Sequence, residues 1–122
     1  MIPTEIKVHK KSATLELIYD DADHTLSAEY LRVFSPSAEV RGHNPDQAIL
    51  QHGKRRVTFK EIEPQGNYAI KLVFSDGHDT GIYTWPYLKE LGDNFESNWA
   101  SYLERLEKEG KSREPQFIAV GR

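Results

Sequence analysis

Hydrophobic and polar residues alternate in two regions of the chain, and this two-residue period is the pattern of half-buried β-strands. The first region, residues 13–19, places leucine or tyrosine at every second position. The second begins near residue 57 and contains a longer alternation over residues 68–74. A further run over residues 82–85 follows after a short polar segment. The pattern therefore predicts one early strand and a later antiparallel meander.

Turn-forming residues separate these strands. Residues 63–66 place proline second and glycine fourth, as a type I turn prefers. The Asp-Gly pair within residues 75–78 is the strongest short signal for a β-hairpin. Residues 20–24 predict a polar turn. Residues 35–53 are rich in proline and glycine and predict a loop, interrupted by one helical turn at residues 47–50.

Two short helices are expected on either side of the meander. Ser27 can cap a helix that starts at Ala28, and Pro36 stops it, because the residue before a proline is pushed out of the helical region. Pro86 is well placed at the first position of the second helix, and Gly92 is well placed to end it.

A longer helix is predicted near the C-terminus. Asp93 opens it, with Glu96 three residues later in the spacing of a capping box, and Gly110 ends it. Residues 111–122 are then expected to form a flexible tail unless they dock. The helix carries one apolar stripe, which is typical of a core-facing or partner-facing surface: Phe95, Trp99, Tyr102 or Leu103, and Leu106.

These elements predict an α+β fold, with a small antiparallel β-meander sheet, short helices and a C-terminal amphipathic helix. The length of 122 residues fits a single domain, which we assign to residues 1–110. Hydrophobic content of 38% and charged content of 29% fit a soluble globular chain. No apolar run is long enough to cross a membrane, and the first twelve residues lack the apolar stretch of a secretory signal. We therefore expect a cytoplasmic protein that does not engage the membrane.

Charge and cysteine content exclude several kinds of function. The formal net charge of −3 gives no overall basic field for nucleic acid, and Lys54–Arg56 is too short a basic cluster to supply one. The chain has no cysteine. Disulfides, thiolate nucleophiles, cysteine zinc sites and Fe–S ligation by this chain are excluded, because all of them need sulfur.

The order of several motifs resembles that of a known family. A strand, the sequence AEYLR, a Ser-Pro-Ser loop and the sequence FSDGHDTGIYTWPYL follow one another, and together they resemble the gamma-butyrobetaine hydroxylase N-terminal-like domain family over roughly residues 10–92. In that family the domain precedes the catalytic domain of oxoglutarate-dependent hydroxylases. It is also joined to P-loop ATPases of Fe–S cluster assembly or occurs as a small stand-alone bacterial protein. The chain resembles the stand-alone type.

The resemblance also implies a lost metal site. The family's hydroxylases hold a structural zinc ion through three loop cysteines and one histidine. Those ligand positions correspond here to Ser35, Ser37, Val40 and His78, so only the histidine is retained. Serine hydroxyls are poor zinc ligands and valine is none. The resemblance therefore implies a zinc-free version of the fold, and we expect no cofactor.

Catalysis is not expected. A hydrolase built from Ser35 or Ser37 with His78 and Asp76 is conceivable, because catalytic triads are defined by geometry. However, the chain lacks the Gly-x-Ser-x-Gly turn and a glycine-rich oxyanion loop. His78 with His43 and Asp76 or Asp79 stays open as a metal site.

Two functional hypotheses remain. The first is a non-catalytic interaction or accessory domain that docks a protein, which the ATPase fusions suggest is a component of Fe–S cluster or metalloenzyme maturation. The second is a small-ligand or metal-binding domain that uses the 35–43 loop and His78. For the first hypothesis the predicted partner-binding residues form a charged and aromatic patch: Arg32, Ser35, Ser37, Glu39, Arg41, His43, Tyr83 and Trp85.

Overall fold

The computed structural model describes residues 2–42 and 48–115. Two antiparallel sheets of three strands each, together with four helices, make up the described fold, which confirms the predicted α+β class. The strands are β1 (Glu5–His9), β2 (Thr14–Ile18), β3 (Asp23–Ser27), β4 (Phe59–Gln65), β5 (Ala69–Phe74) and β6 (Gly81–Thr84). The helices are α1 (Ala28–Val33), α2 (Ala38–Arg41), α3 (Trp85–Asp93) and α4 (Phe95–Lys108).

The first sheet has the order β1-β2-β3 and contains two strands that the sequence pattern missed. The predicted strand is β2, whose Leu15 and Leu17 are fully buried. In contrast, β3 buries only Leu26 and β1 buries no residue, since β1 lies at an edge of the sheet. Strands with so little buried surface carry no clear alternation of hydrophobic residues. The predicted polar turn is therefore shorter and is followed directly by β3.

The second sheet has the order β4-β5-β6, and the predicted hairpin joins β5 to β6 at Gly77, which has a φ of 92°. The turn predicted at residues 63–66 is wrong. Pro64 lies inside β4 and pairs with Ile70, and the chain reverses at Gly66–Tyr68. A proline has no N–H to donate, but β4 is an edge strand and can accommodate it.

Serine side chains begin both short helices next to the Ser-Pro-Ser loop. The hydroxyl of Ser27 accepts a hydrogen bond from the Tyr30 N–H at the start of α1, as predicted. The hydroxyl of Ser37 does the same for the Glu39 N–H at the start of α2. The sequence pattern placed a helical turn at residues 47–50 instead, and residues 48–50 are not helical.

The junction of α3 and α4 differs from the prediction. Asp93 is the last residue of α3. Asn94 is the N-cap residue that precedes α4, and its side chain makes no capping hydrogen bond. The Asp93 carboxylate accepts hydrogen bonds from His24 and Lys89 instead of capping α4. Gly92 lies within α3, where an added Cβ would come within 2.6 Å of the His24 ring. Close packing of β3 against α3 explains this glycine.

One main core joins both sheets to α1 and α3, so the described fold has a single hydrophobic centre. Its fully buried large side chains come from five elements: Leu15, Leu17, Tyr30, Leu31, Leu72, Phe74, Tyr83 and Leu88. On α4, Tyr102 and Leu106 are buried in a smaller cluster, whereas Leu103 is 40% exposed. Within the described residues, no helix is long and apolar enough to cross a membrane.

Residues 111–115, assigned by sequence to the tail, contact the folded domain. Arg113 donates two hydrogen bonds, of 2.7 and 2.8 Å, to the buried carboxylate of Glu29 on α1. Its guanidinium also lies 5.1 Å from the centre of the Trp99 ring. Backbone hydrogen bonds from Gly53 and Arg55 to this segment hold it in place. The five residues therefore connect α1, α4 and the 48–56 loop.

Candidate functional site

The structure brings Ser35, Ser37 and His78, three of the four positions to which the resemblance assigns zinc ligands, into one region. The Ser35 hydroxyl lies 2.8 Å from Nε2 of His78, and it also accepts the Ser37 N–H at 3.3 Å. The Ser37 hydroxyl lies 2.9 Å from the Thr80 hydroxyl. We call these four residues the serine–histidine cluster. The hydroxyls do not fit zinc, which prefers thiolate and imidazole ligands, and their hydrogen bonds hold the loop to the β5–β6 hairpin instead.

Three residues of the serine–histidine cluster, Ser35, Ser37 and His78, are buried, whereas Thr80 is exposed. Ser35 is 1% exposed and His78 is 7% exposed. A Cβ added to Gly81 would come within 2.7 Å of the Ser35 hydroxyl, so β6 packs directly against it. Among residues 2–42 and 48–115, no group of three or more histidines or carboxylates is arranged to hold a metal ion.

A charged network lies beside the cluster, at the turn between β5 and β6. The Asp76 carboxylate accepts hydrogen bonds from Arg32 at 2.9 Å, Lys54 at 2.7 Å and the His78 N–H at 3.1 Å. Burial raises the pKa of Asp76, but the hydrogen bonds from Lys54, His78 and Arg32 outweigh it and lower the pKa to about 2. Arg32 also donates to Gln51. Buried Arg32 therefore has a structural role.

The surroundings of His78 lower its pKa, so its ring stays neutral to a lower pH than the ring of a free histidine. Burial lowers the pKa of His78 and the nearby Arg32 lowers it further, whereas Glu39 and Asp76 oppose these effects. Glu39 is the nearest carboxylate to the free ring nitrogen, at 3.6 Å from Nδ1, and its side chain is 68% exposed. Asp76 contacts the His78 backbone and not the ring, so the conceivable Ser-His-Asp arrangement is not formed.

The predicted partner-binding residues divide by burial. Glu39 and Arg41 are exposed, and Trp85 is half-buried with its indole N–H donating to the Asn67 carbonyl. Tyr83 is fully buried and its hydroxyl donates to the Leu31 carbonyl. On β6 the exposed residue is Ile82, so Tyr83 faces the core and not the predicted surface patch. Arg32, Ser35 and Ser37 are also buried, and His43 lies outside the described residues.

An apolar groove on the outer side of the same loop was missed by sequence reasoning. Two adjoining cavities, of about 100 and 160 Å³, share Val33, Phe34, Ile49 and Arg105. One extends to Leu50 and Tyr102, and the other extends to Val40, Arg41 and Tyr87. We call this surface the apolar groove. The apolar run of residues 48–50, whose Ile49 is 60% exposed, was the available signal.

A larger cleft lies elsewhere, between β3 and the α3–α4 junction, with a volume of about 470 Å³. It is lined mainly by polar and acidic side chains, including His24, Asp93 and Glu96. The His24 ring lies 3.1 Å from Asp93, which also pairs with Lys89. The cleft shares no residue with the Ser-Pro-Ser loop. Its polar lining differs from the largely apolar lining of typical ligand pockets.

Comparisons with known proteins agree with this fold. A search of curated proteins gave no significant match. An NMR solution structure is 50% identical, covers 99% of this chain and 96% of its own, and has a TM-score of 0.83. A second NMR solution structure is 45% identical, covers 99% and 91%, and has a TM-score of 0.78.

A third relative is a crystal structure of a protein with unknown function from Acidithiobacillus ferrooxidans ATCC 23270, which belongs to the DUF971 family. It is 40% identical, covers 74% of this chain and 91% of its own, and has a TM-score of 0.61. The family model described as gamma-butyrobetaine hydroxylase-like, N-terminal, matches residues 6–89. This is the same family as DUF971. The chain therefore belongs to the gamma-butyrobetaine hydroxylase-like N-terminal family.

Proposed function

We propose that the chain is a non-catalytic docking domain that binds a partner protein through the apolar groove. The observation that carries this proposal is the exposed side chain of Ile49 at the mouth of two adjoining cavities that Val33 and Phe34 also line. Exposed apolar patches of this kind are common at protein-recognition sites. The serine and histidine that could perform chemistry are instead buried and hydrogen-bonded to each other.

The dimensions of the groove favour side chains of a protein over a small ligand. Its two cavities have volumes of about 100 and 160 Å³, whereas small-molecule pockets typically enclose about 300–1,000 Å³. Each cavity is nearer to the space that a single large side chain needs. A partner that inserts two neighbouring apolar side chains would fill the groove and exclude water from it, as the centre of a protein interface does.

The partner class is proposed from the family resemblance. Because the resemblance includes domains joined to ATPases of Fe–S cluster assembly, we propose a partner in Fe–S cluster or metalloenzyme maturation, in the cytoplasm. A chain without cysteine cannot ligate an Fe–S cluster through thiolates. Its contribution would be to hold a carrier or client protein.

Co-purification with a matched pair of variants tests this proposal. Ile49→Asp places a charge in the groove, whereas Leu103→Asp places one on an exposed apolar residue of α4 that does not line it. Both variants should keep the wild-type free energy of unfolding within about 0.5 kcal/mol, as exposed substitutions usually do. Quantitative mass spectrometry of proteins bound to the tagged chain should show a partner that Ile49→Asp loses and Leu103→Asp retains.

Equal recovery of every bound protein by Ile49→Asp and wild type would contradict docking at the groove. The identity of the partner is a separate result. A partner that requires Ile49 but has no role in metal-centre assembly would support docking and contradict the proposed pathway.

A further inference from the structure

The charges at the apolar groove have one sign. Among the described residues, the lining contains Arg41 and Arg105 and contains no aspartate or glutamate. The whole chain has a formal net charge of −3, so this lining contrasts with the average surface. We infer that the groove recognises an acidic protein segment, in which Asp or Glu residues flank the apolar side chains that enter the two cavities. This inference rests on the proposed docking function.

Arg41 is already positioned for such a contact. Its guanidinium lies 4.6 Å from the centre of the Tyr87 ring, a cation–π arrangement that restricts the side chain. The Tyr87 hydroxyl in turn donates to the Phe34 carbonyl at 2.6 Å, which fixes the ring on the wall of the groove. An arginine held in this way loses less conformational freedom when it binds a carboxylate.

Arg105 provides a second contact point on α4. It is half-exposed and lies 3.5 Å from Glu109, which is equally exposed. Exposed pairs of this kind contribute little stability, so a partner carboxylate can replace Glu109 at small cost. The other nearby cations are already engaged, since Arg32 and Lys54 bind Asp76 and Arg113 binds Glu29. Among the described residues that line the groove, Arg41 and Arg105 are therefore the cations that can select an acidic partner.

Opposite charges at the edge of an apolar contact mainly increase the association rate and exclude partners of the wrong charge. A segment with lysines in place of the acids would meet two arginines as it approached. The groove should therefore discriminate between acidic and basic segments of equal hydrophobicity, and this discrimination should weaken as the salt concentration rises.

Fluorescence anisotropy with synthetic labelled peptides tests the inference on the full-length chain. The first peptide combines leucine and phenylalanine with glutamates, the second replaces every glutamate with lysine, and the third keeps the glutamates but replaces the apolar residues with serine. The first should bind at least about tenfold more tightly than either of the others, with an affinity that falls as salt is added.

A charge reversal provides the matched control. The double variant Arg41→Glu/Arg105→Glu should lose about tenfold in affinity for the glutamate peptide and should prefer the lysine peptide. The double variant Arg56→Glu/Lys60→Glu changes the net charge equally, but at exposed residues outside the groove. It should keep the wild-type preference, which separates a local contact from a general effect of charge.

Four results would overturn the inference, and the first three concern peptide binding. These are no binding of the glutamate peptide, equal binding of the glutamate and lysine peptides, and tighter binding of a peptide with the sequence of residues 116–122, which would assign the groove to the chain's own C-terminal segment. Concentration-dependent dimerisation that Ile49→Asp abolishes would assign the groove to a second copy instead. Docking itself would survive if Arg41→Glu/Arg105→Glu retained a cellular partner that Ile49→Asp loses, and only the acidic preference would then fail.

Discussion

The loop between α1 and α2 has two sides that differ in almost every physical property. On one side, Ser35 and Ser37 are buried and hydrogen-bonded to His78 and Thr80. On the other side, Val33 and Phe34 at the end of α1 and Val40 and Arg41 of α2 line the apolar groove, which Ser35 also borders. The closed side satisfies its polar groups within the chain, whereas the open side leaves apolar surface and an arginine facing solvent.

This difference separates the structural role of the loop from its proposed recognition role. The positions that resemble a metal site now hold the loop to the hairpin, and hydrogen bonds between neutral side chains are sufficient for that purpose. The surface that remains for binding is the reverse of the loop. Substitutions on the closed side should therefore change stability, and substitutions on the open side should change binding.

The largest expected effect comes from restoring thiolates on the closed side. The variant Ser35→Cys/Ser37→Cys/Val40→Cys, with His78 unchanged, should bind one zinc ion per chain, since it supplies three thiolates and an imidazole. Zinc present at about 1,000 times its dissociation constant should raise the free energy of unfolding by about 4 kcal/mol. Metal analysis and denaturation with and without a chelator measure this gain. The same variant with His78→Ala should bind zinc more weakly.

Failure of this variant to bind zinc would contradict the prediction. The position of Val40 is the demanding part of the test, because Val40 lines the groove beside Arg41 and must turn towards His78 to complete the site.

A smaller effect is expected when Asp76, the carboxylate that joins Arg32 to Lys54, is replaced. Asp76→Ala leaves Arg32, whose side chain is 9% exposed, without its carboxylate partner. Removing the carboxylate from this partly buried pair should lower the free energy of unfolding by about 2 kcal/mol, the loss expected for hydrogen bonds to a charged group. Chemical denaturation measures the change, with exposed Asp79→Ala as the control that should stay close to wild type. A loss equal to that of the control would show that Arg32 finds full compensation in Gln51.

The smallest expected effect is a pH dependence of stability centred on His78. Its pKa is lowered in the folded state, so the unfolded chain binds a proton more readily below its ordinary value of about 6.5. The free energy of unfolding should decline as the pH falls below about 6.5 and level off once the folded-state pKa is passed. The pKa of Asp76, about 2 against an ordinary 3.8, places its own contribution at lower pH. Unfolding at several pH values should give a shallower dependence for His78→Gln, and an identical slope would contradict the assignment.

Much of the closed side could be predicted from the sequence. The family resemblance predicted that Ser35, Ser37 and His78 lie together, although 43 residues separate Ser35 from His78 in the chain. The orientation of Tyr83 was not predictable, since an alternating strand fixes two faces but does not say which one meets the core. The contact between Tyr83 and Leu31 in another element decides it.

The open side could not be predicted because it depends on tertiary structure. The groove forms where α1, α4 and the 48–51 segment meet. The hydrophobic periodicity of each segment by itself does not predict that these segments come into contact. The same reason explains Asp93, which has the sequence context of a helix cap. In the structure its carboxylate forms a hydrogen bond with His24, 69 residues away, and does not cap the helix.

The contact between Arg113 and Glu29 sets a practical boundary for the folding unit. The family match ends at residue 89, yet Glu29 lies on α1 inside that match and has its carboxylate buried against an arginine 84 residues further along. A chain shortened to residues 6–89 would leave this carboxylate buried without a counter-charge. We therefore expect the folding unit to extend at least through Arg113, 24 residues beyond the last residue of the family match.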